Sequence, residues 1–342
     1  MNLSNYDKTP AISVAGRVIT GWEGICSHLK RQIGITSYCR VVVVFELYPG
    51  TSYSEVLQGI RHLDPDLVVD AADSMFPREK ILQLTEADVT GDEVFGVMTL
   101  LGMADFFDPA ALVLARRQIG SVMEGIVVVV GQGAALVPES YDLLVYGDMA
   151  RWEIEGRMKR GEVQGLGVDD SRLSFSRQYK RGYFVDWRVC DRFKQDLFPS
   201  MDYVLDTSHH GRPLMVEAGV MFDALKKAVS RPFRVVPYFD PGPWGGQWMK
   251  QVCDLDRTKA NFAWCFDCVP EENSLLLDIS GEIFEIPAIN LVFCESCNLL
   301  GEGVEARFGR EFPIRFDLLD TMAGGNLSLQ VHPVTAYIRD QF

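Results

Sequence analysis

The sequence predicts two structural parts, an α/β domain built on a parallel sheet and then an all-β unit. Up to about residue 212, short uninterrupted apolar runs alternate with longer amphipathic stretches, which is typical of parallel strands connected by helices. From Pro232 onward, apolar residues alternate with period two and turn residues recur, which favours β-structure. The expected organisation is a domain over 1–212, a connecting helix within 213–231 and a second domain over 232–342.

The elements of the first domain follow in chain order from this alternation. Val41–Phe45 is apolar throughout and predicts a fully buried strand, Ser54–Leu63 has helical spacing, and Leu67–Val69 predicts a second strand. The later elements are a helix over Pro109–Met123 capped by Asp108, strands at Ile126–Val130 and Asp142–Tyr146, a helix over Met149–Lys159 and a strand at Asp202–Leu205. A connecting helix is expected over Val216–Ser230.

The charge balance limits the partners of this protein. The 342 residues include 33 Lys and Arg against 47 Asp and Glu, which gives a net charge of −14. Such an excess of carboxylates repels nucleic acid and anionic membrane surfaces. The N-terminal segment has no apolar signal-peptide core, and no apolar run approaches the ~18 residues of a spanning helix. We therefore expect a cytoplasmic protein that binds neither nucleic acid nor membranes.

The loop after the first strand bears on nucleotide binding. A P-loop needs a glycine-rich turn and a lysine for the phosphates, whereas this loop has one glycine, Gly50, followed by Thr51 and Ser52. The order of elements over roughly residues 15–207 nevertheless resembles the P-loop kinases of the uridine kinase type in a degenerate form. That resemblance implies a nucleotide as a partner of this domain. Gly131-Gln132-Gly133 fits either a phosphate-binding loop or a tight strand-to-helix turn.

A basic cluster follows in the sequence. Its members are Arg172, Arg177, Lys180, Arg181, Arg188, Arg192 and Lys194. In an acidic chain this cluster predicts a phosphate-binding site, with Arg181 as the first candidate. The alternative is a solvated helix face.

A candidate metal site lies near the end of the chain. The alternation in Asn326–Pro333 predicts a strand that places Gln330 and His332 on one face, about 7 Å apart. Both side chains could then reach one metal ion, and the alternative is a hydrogen-bonded core pair.

Three motifs in the second part resemble those of one enzyme family. Gln330-x-His332-Pro333 resembles the signature of class I, zinc-dependent mannose-6-phosphate isomerases, which have a cupin β-barrel fold. Pro237–Gly246 resembles the opening segment of that family, and Phe312–Asp320 resembles the strand before its metal strand. The whole chain resembles the longer bacterial variant, in which a kinase-like domain precedes the isomerase domain.

The resemblance implies a function and its residues. Gln330 and His332 match two zinc ligands, Trp244 matches the tryptophan of the sugar pocket, Arg315 is a further substrate-binding candidate, and Asp317 stands where the family usually has a lysine. The implied reaction interconverts mannose 6-phosphate and fructose 6-phosphate, with zinc polarising the carbonyl. The remaining ligands and the catalytic arginine come later in the family. We therefore expect this chain to hold the first part of the barrel and to be inactive alone, with no catalytic residue assigned.

Other features of the sequence predict two further functions and a second kind of zinc site. The degenerate kinase-like domain alone would be a non-catalytic regulatory module that binds a nucleotide or phosphate, and a working small-molecule kinase is a third hypothesis. Two C-x-x-C pairs, Cys265–Cys268 and Cys294–Cys297, have the outline of a four-cysteine zinc ribbon.

Overall fold

The computed structural model describes residues 4–35 and 39–341. The chain divides into two compact units. The first comprises Ala15–Met149 and Glu153–Phe222. The second comprises the N-terminal segment up to Val14, Ala150–Trp152 and the chain from Asp223 onward.

The secondary structure alternates strands and helices over most of the described chain. The strands are β1 Ala11–Val14, β2 Ile19–Thr20, β3 Arg40–Leu47, β4 Leu67–Asp70, β5 Gly125–Gly131, β6 Leu143–Asp148, β7 Tyr203–Asp206, β8 Leu214–Glu217, β9 Tyr238–Asp240, β10 Trp264–Cys268, β11 Ser274–Ile279, β12 Glu282–Pro287 and β13 Phe316–Leu319. The helices are α1 Gly21–Ile35, α2 Tyr53–Gly59, α3 Arg78–Leu84, α4 Glu86–Val89, α5 Pro109–Ser121, α6 Arg151–Lys159, α7 Phe175–Arg181, α8 Trp187–Leu197, α9 Ala218–Val229, α10 Trp248–Val252, α11 Ile289–Leu300, α12 Glu302–Phe308 and α13 Thr335–Gln341. No helix in the described part of the chain combines the length and apolarity that crossing a bilayer requires.

The first unit is built on a seven-stranded sheet in the order β2-β8-β7-β6-β3-β5-β4. The five strands β3 to β7 are parallel, and β8 and β2 add an antiparallel edge. Val43 and Phe45 of β3 and Val128 of β5 are fully buried in the main core. A parallel strand buried on both faces is apolar throughout, which explains the valine runs. The predicted α/β class with a parallel sheet is confirmed for this unit.

One helix of this unit begins as its sequence predicts. The Asp108 carboxylate accepts a hydrogen bond from the Ala110 amide at 2.9 Å, and Pro109 is the first residue of α5. Pro109 fits there because it lacks the amide hydrogen that the first turn leaves without a partner inside the helix.

The connecting helix predicted over Val216–Ser230 is partly wrong. Leu214–Glu217 forms β8, and α9 begins only at Ala218. Met215 and Val216 are fully buried, and β8 pairs with β7 on one side and with β2 on the other. Their burial in the sheet overrides the local helical pattern.

The second unit is not all-β, which corrects the prediction for the region from Pro232. Four helices, α10 to α13, lie there. Its described strands form two three-stranded sheets, β1-β11-β12 and β13-β10-β9. The apolar run that forms α11 illustrates the error, because a short buried apolar run fits a strand or a helix equally well.

The strand predicted over Asn326–Pro333 is also absent from the structure. These residues form no helix or strand, and their apolar side chains point to solvent, with Leu329 exposed by 93% and Val331 by 86%. An alternating pattern produces a strand only where a partner strand and a buried face exist. The described part of the chain supplies neither here.

Candidate functional site

A cavity of about 610 Å³ opens in the first unit at the carboxyl ends of β3, β4 and β5. Its lining residues are Leu47, Gly50, Thr51, Ser52, Tyr53, Ser54, Asp70, Ala72, Met75, Phe76, Gly131, Gln132, Gly161, Glu162, Val163, Gln164, Gly165, Gly167, Val168, Asp169 and Ser171. Ligands of open α/β sheets bind outside the carboxyl ends of the strands. The cavity is therefore the candidate binding site of this unit.

The loop after β3 has a fixed shape. Gly50 has a φ of +95°, and a Cβ atom there would lie 2.7 Å from the Ile154 side chain. The Gly50 carbonyl accepts a hydrogen bond from Arg157 Nη1 at 2.9 Å. Ser52 Oγ then caps α2 by accepting from the Glu55 amide at 3.3 Å. Glycine is required at position 50 by both its conformation and the close side chain.

Two cations in this part of the unit already have partners. Arg157 is buried, lies 2.8 Å from Glu153 through Nε, and donates from Nη2 to the Thr207 carbonyl at 2.7 Å. Lys194 is fully buried, and its Nζ lies 2.7 Å from Asp148 Oδ1. Breaking either pair would remove a close interaction between two buried charges, so neither cation is available to a ligand at low cost.

The Gly131-Gln132-Gly133 loop is a tight turn bound by the protein's own carboxylate. Glu46 accepts hydrogen bonds from the Gly133 amide at 2.6 Å and the Ala135 amide at 2.9 Å. Burial raises the pKa of Glu46 to about 8, although these backbone donors act in the opposite direction. Gly133 has a φ of +74°, and a Cβ atom there would lie 2.6 Å from the Phe107 ring. These two amides therefore serve Glu46 rather than a phosphate.

Asp70 and Tyr53 form a pair on the cavity wall that the sequence analysis missed. The Tyr53 hydroxyl donates to Asp70 Oδ2 at 2.7 Å, and the Ala72 amide donates to Asp70 Oδ1 at 2.9 Å. Burial and the hydrogen bond to Asp70 raise the pKa of Tyr53. The position of Asp70 at the end of a parallel strand was the available signal, but nothing in the sequence connected it to Tyr53.

Arg181, the predicted phosphate ligand, lies beneath the 161–171 segment of the cavity wall. It is buried, its Nε lies 3.3 Å from Asp186 Oδ2, and its Nη1 donates to Thr85 Oγ1 at 3.1 Å. A Cβ atom on Gly165 would lie 2.9 Å from Asp186 Oδ2, so the segment packs directly on the pair. Burial raises the pKa of Asp186 to about 6, although Arg181 lowers it. Arg181 lines a separate groove of about 420 Å³ beside Thr85.

Other members of the predicted basic cluster bind backbone carbonyls. Lys180 Nζ donates to the carbonyl of Asp92, and Arg192 Nη2 donates to the carbonyl of Thr99 at 3.2 Å. Arg188 Nε donates to the carbonyl of Tyr183 at 3.1 Å. These cations stabilise the fold of the first unit at separate points.

A model of the family described as a domain of unknown function (DUF8485) matches residues 21–230. This match covers more than half of the chain. The chain belongs to the DUF8485 family. No curated protein matches it. The DUF8485 region includes every residue that lines the cavity, whereas Trp244, Arg315, Gln330 and His332 lie outside it.

The predicted zinc ligands lie in the exposed segment that follows β13, C-terminal to the DUF8485 region. Gln330 and His332 are both exposed and lie outside any helix or strand. Among the described residues, no group of three or more His, Cys, Asp or Glu side chains is arranged to hold a metal ion. The cysteines of the two C-x-x-C pairs form no disulfide in the described part of the chain, with Cys265 and Cys268 on β10 and Cys294 and Cys297 on α11.

The other residues implied by the isomerase resemblance lie within the second unit. The buried Trp244 ring makes an edge contact with Trp264, with the ring centroids 4.9 Å apart. Arg315 forms an ion pair with Glu271, and Asp317 is exposed on β13. The Gly325 amide donates to the Trp244 carbonyl at 3.0 Å, so the residue that precedes the Asn326–Pro333 segment contacts the Pro237–Gly246 motif.

The glycines of the Trp244-Gly245-Gly246 motif have a structural explanation. A Cβ atom would lie 2.2 Å from Asn261 at position 245 and 2.1 Å from Asp320 at position 246. The Asp320 carboxylate is buried there and accepts from the Met249 amide at 2.8 Å. This close packing requires glycine at both positions.

Proposed function

We propose that the DUF8485 domain binds a small uncharged molecule with several hydroxyl or amide groups in the cavity at the carboxyl edge of its sheet. This proposal rests on the chemistry of the residues that line the cavity. It contains hydroxyls, amides and carboxylates, and no Lys, Arg or His is among the described residues that form it. The volume of about 610 Å³ is in the usual range for small-molecule sites.

The charges at the cavity disfavour a phosphate ligand. Asp70, Glu162 and Asp169 all line it. Glu162 is paired with Arg160, whose Nε lies 3.0 Å from the carboxylate, and the exposed Asp169 interacts with the positive charges of Arg172 and Arg78, so the least compensated carboxylate of the lining is Asp70. A phosphate dianion would be repelled by Asp70, and none of the described lining residues is a cation that could offset this repulsion. The negative charge at the lining favours a domain that binds a ligand over one that transfers a phosphoryl group. For a regulatory module, it favours an uncharged ligand over a nucleotide or a phosphate.

Two parts of the cavity lining indicate which polar and apolar groups the ligand carries. Gln132 is half-buried, and its side-chain amide makes no hydrogen bond to another residue in the described part of the chain. Met75 and Phe76 supply apolar surface to the same lining. A ligand that fits both has one apolar face and an edge of hydrogen-bonding groups, as a nucleoside or a sugar does.

The strand order supports a relationship to the P-loop kinases. Along the sheet, the five parallel strands lie in the order second, third, first, fourth and fifth. This order differs from both the dinucleotide-binding and the flavodoxin-like orders. The domain that we propose is a degenerate kinase-like domain that has kept a ligand cavity at the sheet edge.

The isomerase reaction remains a hypothesis from sequence resemblance. It requires zinc bound by Gln330 and His332 and turnover of mannose 6-phosphate. Metal content measured on the full chain and on His332→Ala tests the zinc, and a coupled assay with added zinc tests the turnover. Loss of one zinc per chain in the variant supports the hypothesis, and equal zinc content contradicts it.

Binding of matched pairs of compounds tests the cavity proposal. The full chain is titrated calorimetrically with uridine and uridine monophosphate, and with mannose and mannose 6-phosphate. We expect an uncharged member to bind, and Gln132→Ala to weaken its binding about fivefold because a hydrogen bond is lost. Gln118→Ala, at an exposed position of α5, is the matched control.

A second variant blocks the cavity without depending on the ligand's polar groups. Ala72→Tyr places a large side chain in the cavity wall while keeping the amide that donates to Asp70. Ala110→Tyr is its control, because the Ala110 amide makes the equivalent 2.9 Å bond to Asp108 and Ala110 is exposed and does not line the cavity. Binding of the uncharged member that survives Ala72→Tyr, or phosphate-dependent binding that Ala72→Tyr abolishes, contradicts the proposal.

A further inference from the structure

A second concave surface lies in the first unit between β2 and α1. It is a groove of about 540 Å³. Its lining residues are Arg17, Val18, Ile19, Thr20, Gly24, Ser27, Lys30 and Arg31. The strand β2 is one edge of the seven-stranded sheet, and β8, β7 and β6 separate it from β3. At about 4.8 Å per strand, this groove is well separated from the cavity at β3, β4 and β5.

The groove is strongly positive in an acidic chain. Its lining has three cations and no carboxylate, whereas the whole chain has a net charge of −14. Arg17 and Arg31 are exposed, and neither forms an ion pair or a side-chain hydrogen bond with another residue in the described ranges. Lys30 is paired with the exposed carboxylate of Asp64 at 2.5 Å. Two guanidinium groups are therefore available to a ligand.

The two arginines lie near the same point of the structure. Burial lowers the pKa of His28, and the positive charges of Arg31 and Arg17 lower it further, while Glu217 acts in the opposite direction. His28 lies on α1 between the lining residues Ser27 and Lys30. Arg17 precedes β2 and Arg31 lies on α1, so the strand-to-helix connection brings them together.

We propose that this groove binds a small molecule that carries a phosphate group. Guanidinium groups donate two parallel hydrogen bonds to phosphate oxygens, and two of them can hold one dianion from different sides. The hydroxyls of Thr20 and Ser27 add neutral donors to the same lining. The phosphate site expected around Arg181 is thus assigned to a different part of the domain.

Larger anionic partners fit the groove less well. An extended polyanion would meet the negative surface of the rest of the chain beyond these three cations. An acidic peptide that added a strand at the sheet edge would pair with β2, which has only two residues, Ile19 and Thr20. Such a short edge offers few backbone hydrogen bonds to a peptide.

Calorimetric titration of the full chain with inorganic pyrophosphate tests the proposal. We expect binding that Arg17→Gln and Arg31→Gln each weaken about five- to tenfold, and that the double variant weakens further. Arg117→Gln is the matched control, because Arg117 is also exposed and has no partner among the described residues. Gln132→Ala should leave pyrophosphate binding unchanged, which separates this site from the cavity.

A further variant tests the charge of the groove with both arginines in place. Ser27→Glu adds a carboxylate to the lining and should weaken pyrophosphate binding by a similar factor. Pyrophosphate binding that is absent, or that is equal in wild type and the double variant, overturns the proposal. Tighter binding of a hexaglutamate peptide than of pyrophosphate, lost in the double variant, also overturns it in favour of a peptide.

Discussion

Replacing Arg181 by methionine tests whether this side chain stabilises the fold or binds an anion. Methionine keeps an apolar chain of similar length but removes the guanidinium that lies 3.3 Å from Asp186 Oδ2. Only 6% of the Arg181 side chain and 4% of the Asp186 side chain are exposed, so water cannot replace the lost partner. Removing one partner of a buried ion pair costs about 3–5 kcal/mol, and we expect a loss of that size at pH 7.5.

The pH dependence of the loss provides a second check. The pKa of Asp186 is raised to about 6 in the folded protein, so the folded state holds its proton more tightly than the unfolded state. Stability from this group is therefore greatest below its ordinary pKa near 3.8 and falls as the pH rises through 6. Without Arg181 the folded pKa rises further. The loss in Arg181→Met should accordingly be smaller at pH 5 than at pH 7.5.

Urea unfolding followed by circular dichroism at both pH values measures these losses. Arg177→Met, an exposed position on the same helix, is the control and should change the free energy of unfolding by less than about 0.5 kcal/mol. Adding Asp186→Asn to Arg181→Met should recover part of the stability, because the Asp186 charge is removed while the buried Asp170 carboxylate beside it remains. A loss below about 1 kcal/mol at pH 7.5, or an equal loss at both pH values, refutes this reasoning.

Three further predictions concern the residues around the candidate site. Lys194→Met should cost about 3–5 kcal/mol in urea unfolding because Asp148 is left buried without its cation, and a cost below 1 kcal/mol contradicts this. Glu46 has a folded pKa of about 8, so its contribution to stability should fall as the pH rises from 4.5 to 8, and Glu46→Gln should flatten that slope in unfolding measured across this range. An unchanged slope counts against the prediction. Gly50→Ala should lower the free energy of unfolding by at least 1 kcal/mol because of its positive φ, whereas Gly120→Ala, with open space around it, should not.

The central strands could be predicted from the sequence because their burial leaves a local pattern. Val41–Phe45 and Ile126–Val130 lie within β3 and β5, which occupy the interior of the sheet. The start of α5 could be predicted for a similar reason, since Asp108 caps it from an adjacent position. Each of these features depends on residues that are close together in the sequence.

The errors concern features that depend on distant partners. Leu214–Glu217 is a strand because β2 and β7 lie on either side of it, and neither contact is visible in the local pattern. Asn326–Pro333 has the alternation of a strand but no partner strand within the described residues. Hydrophobic periodicity predicts which residues would share one face of a strand or helix. Whether that face is buried depends on the elements that pack against it.

The candidate sites also depend on contacts between residues that are distant in the sequence. Arg181 and Lys194 lie in one basic stretch of sequence, yet each is buried against a different carboxylate. Arg17 and Arg31 are separated by a strand and most of a helix, yet they line one groove. Clustering of cations in the sequence therefore does not show which of them share one surface of the fold. The pairing of Tyr53 with Asp70 likewise depends on how β4 and α2 approach each other.

Comparing uridine with uridine monophosphate tests whether the cavity of the DUF8485 domain binds an uncharged ligand. The full chain carrying Arg17→Gln and Arg31→Gln is used, so that the positive groove does not contribute, and both dissociation constants are measured by calorimetry. We expect uridine to bind about tenfold more tightly, because Asp70 repels the phosphate and the described lining residues include no cation that would hold it. Tighter binding of uridine monophosphate, or binding of uridine that Ala72→Tyr does not weaken, would contradict it.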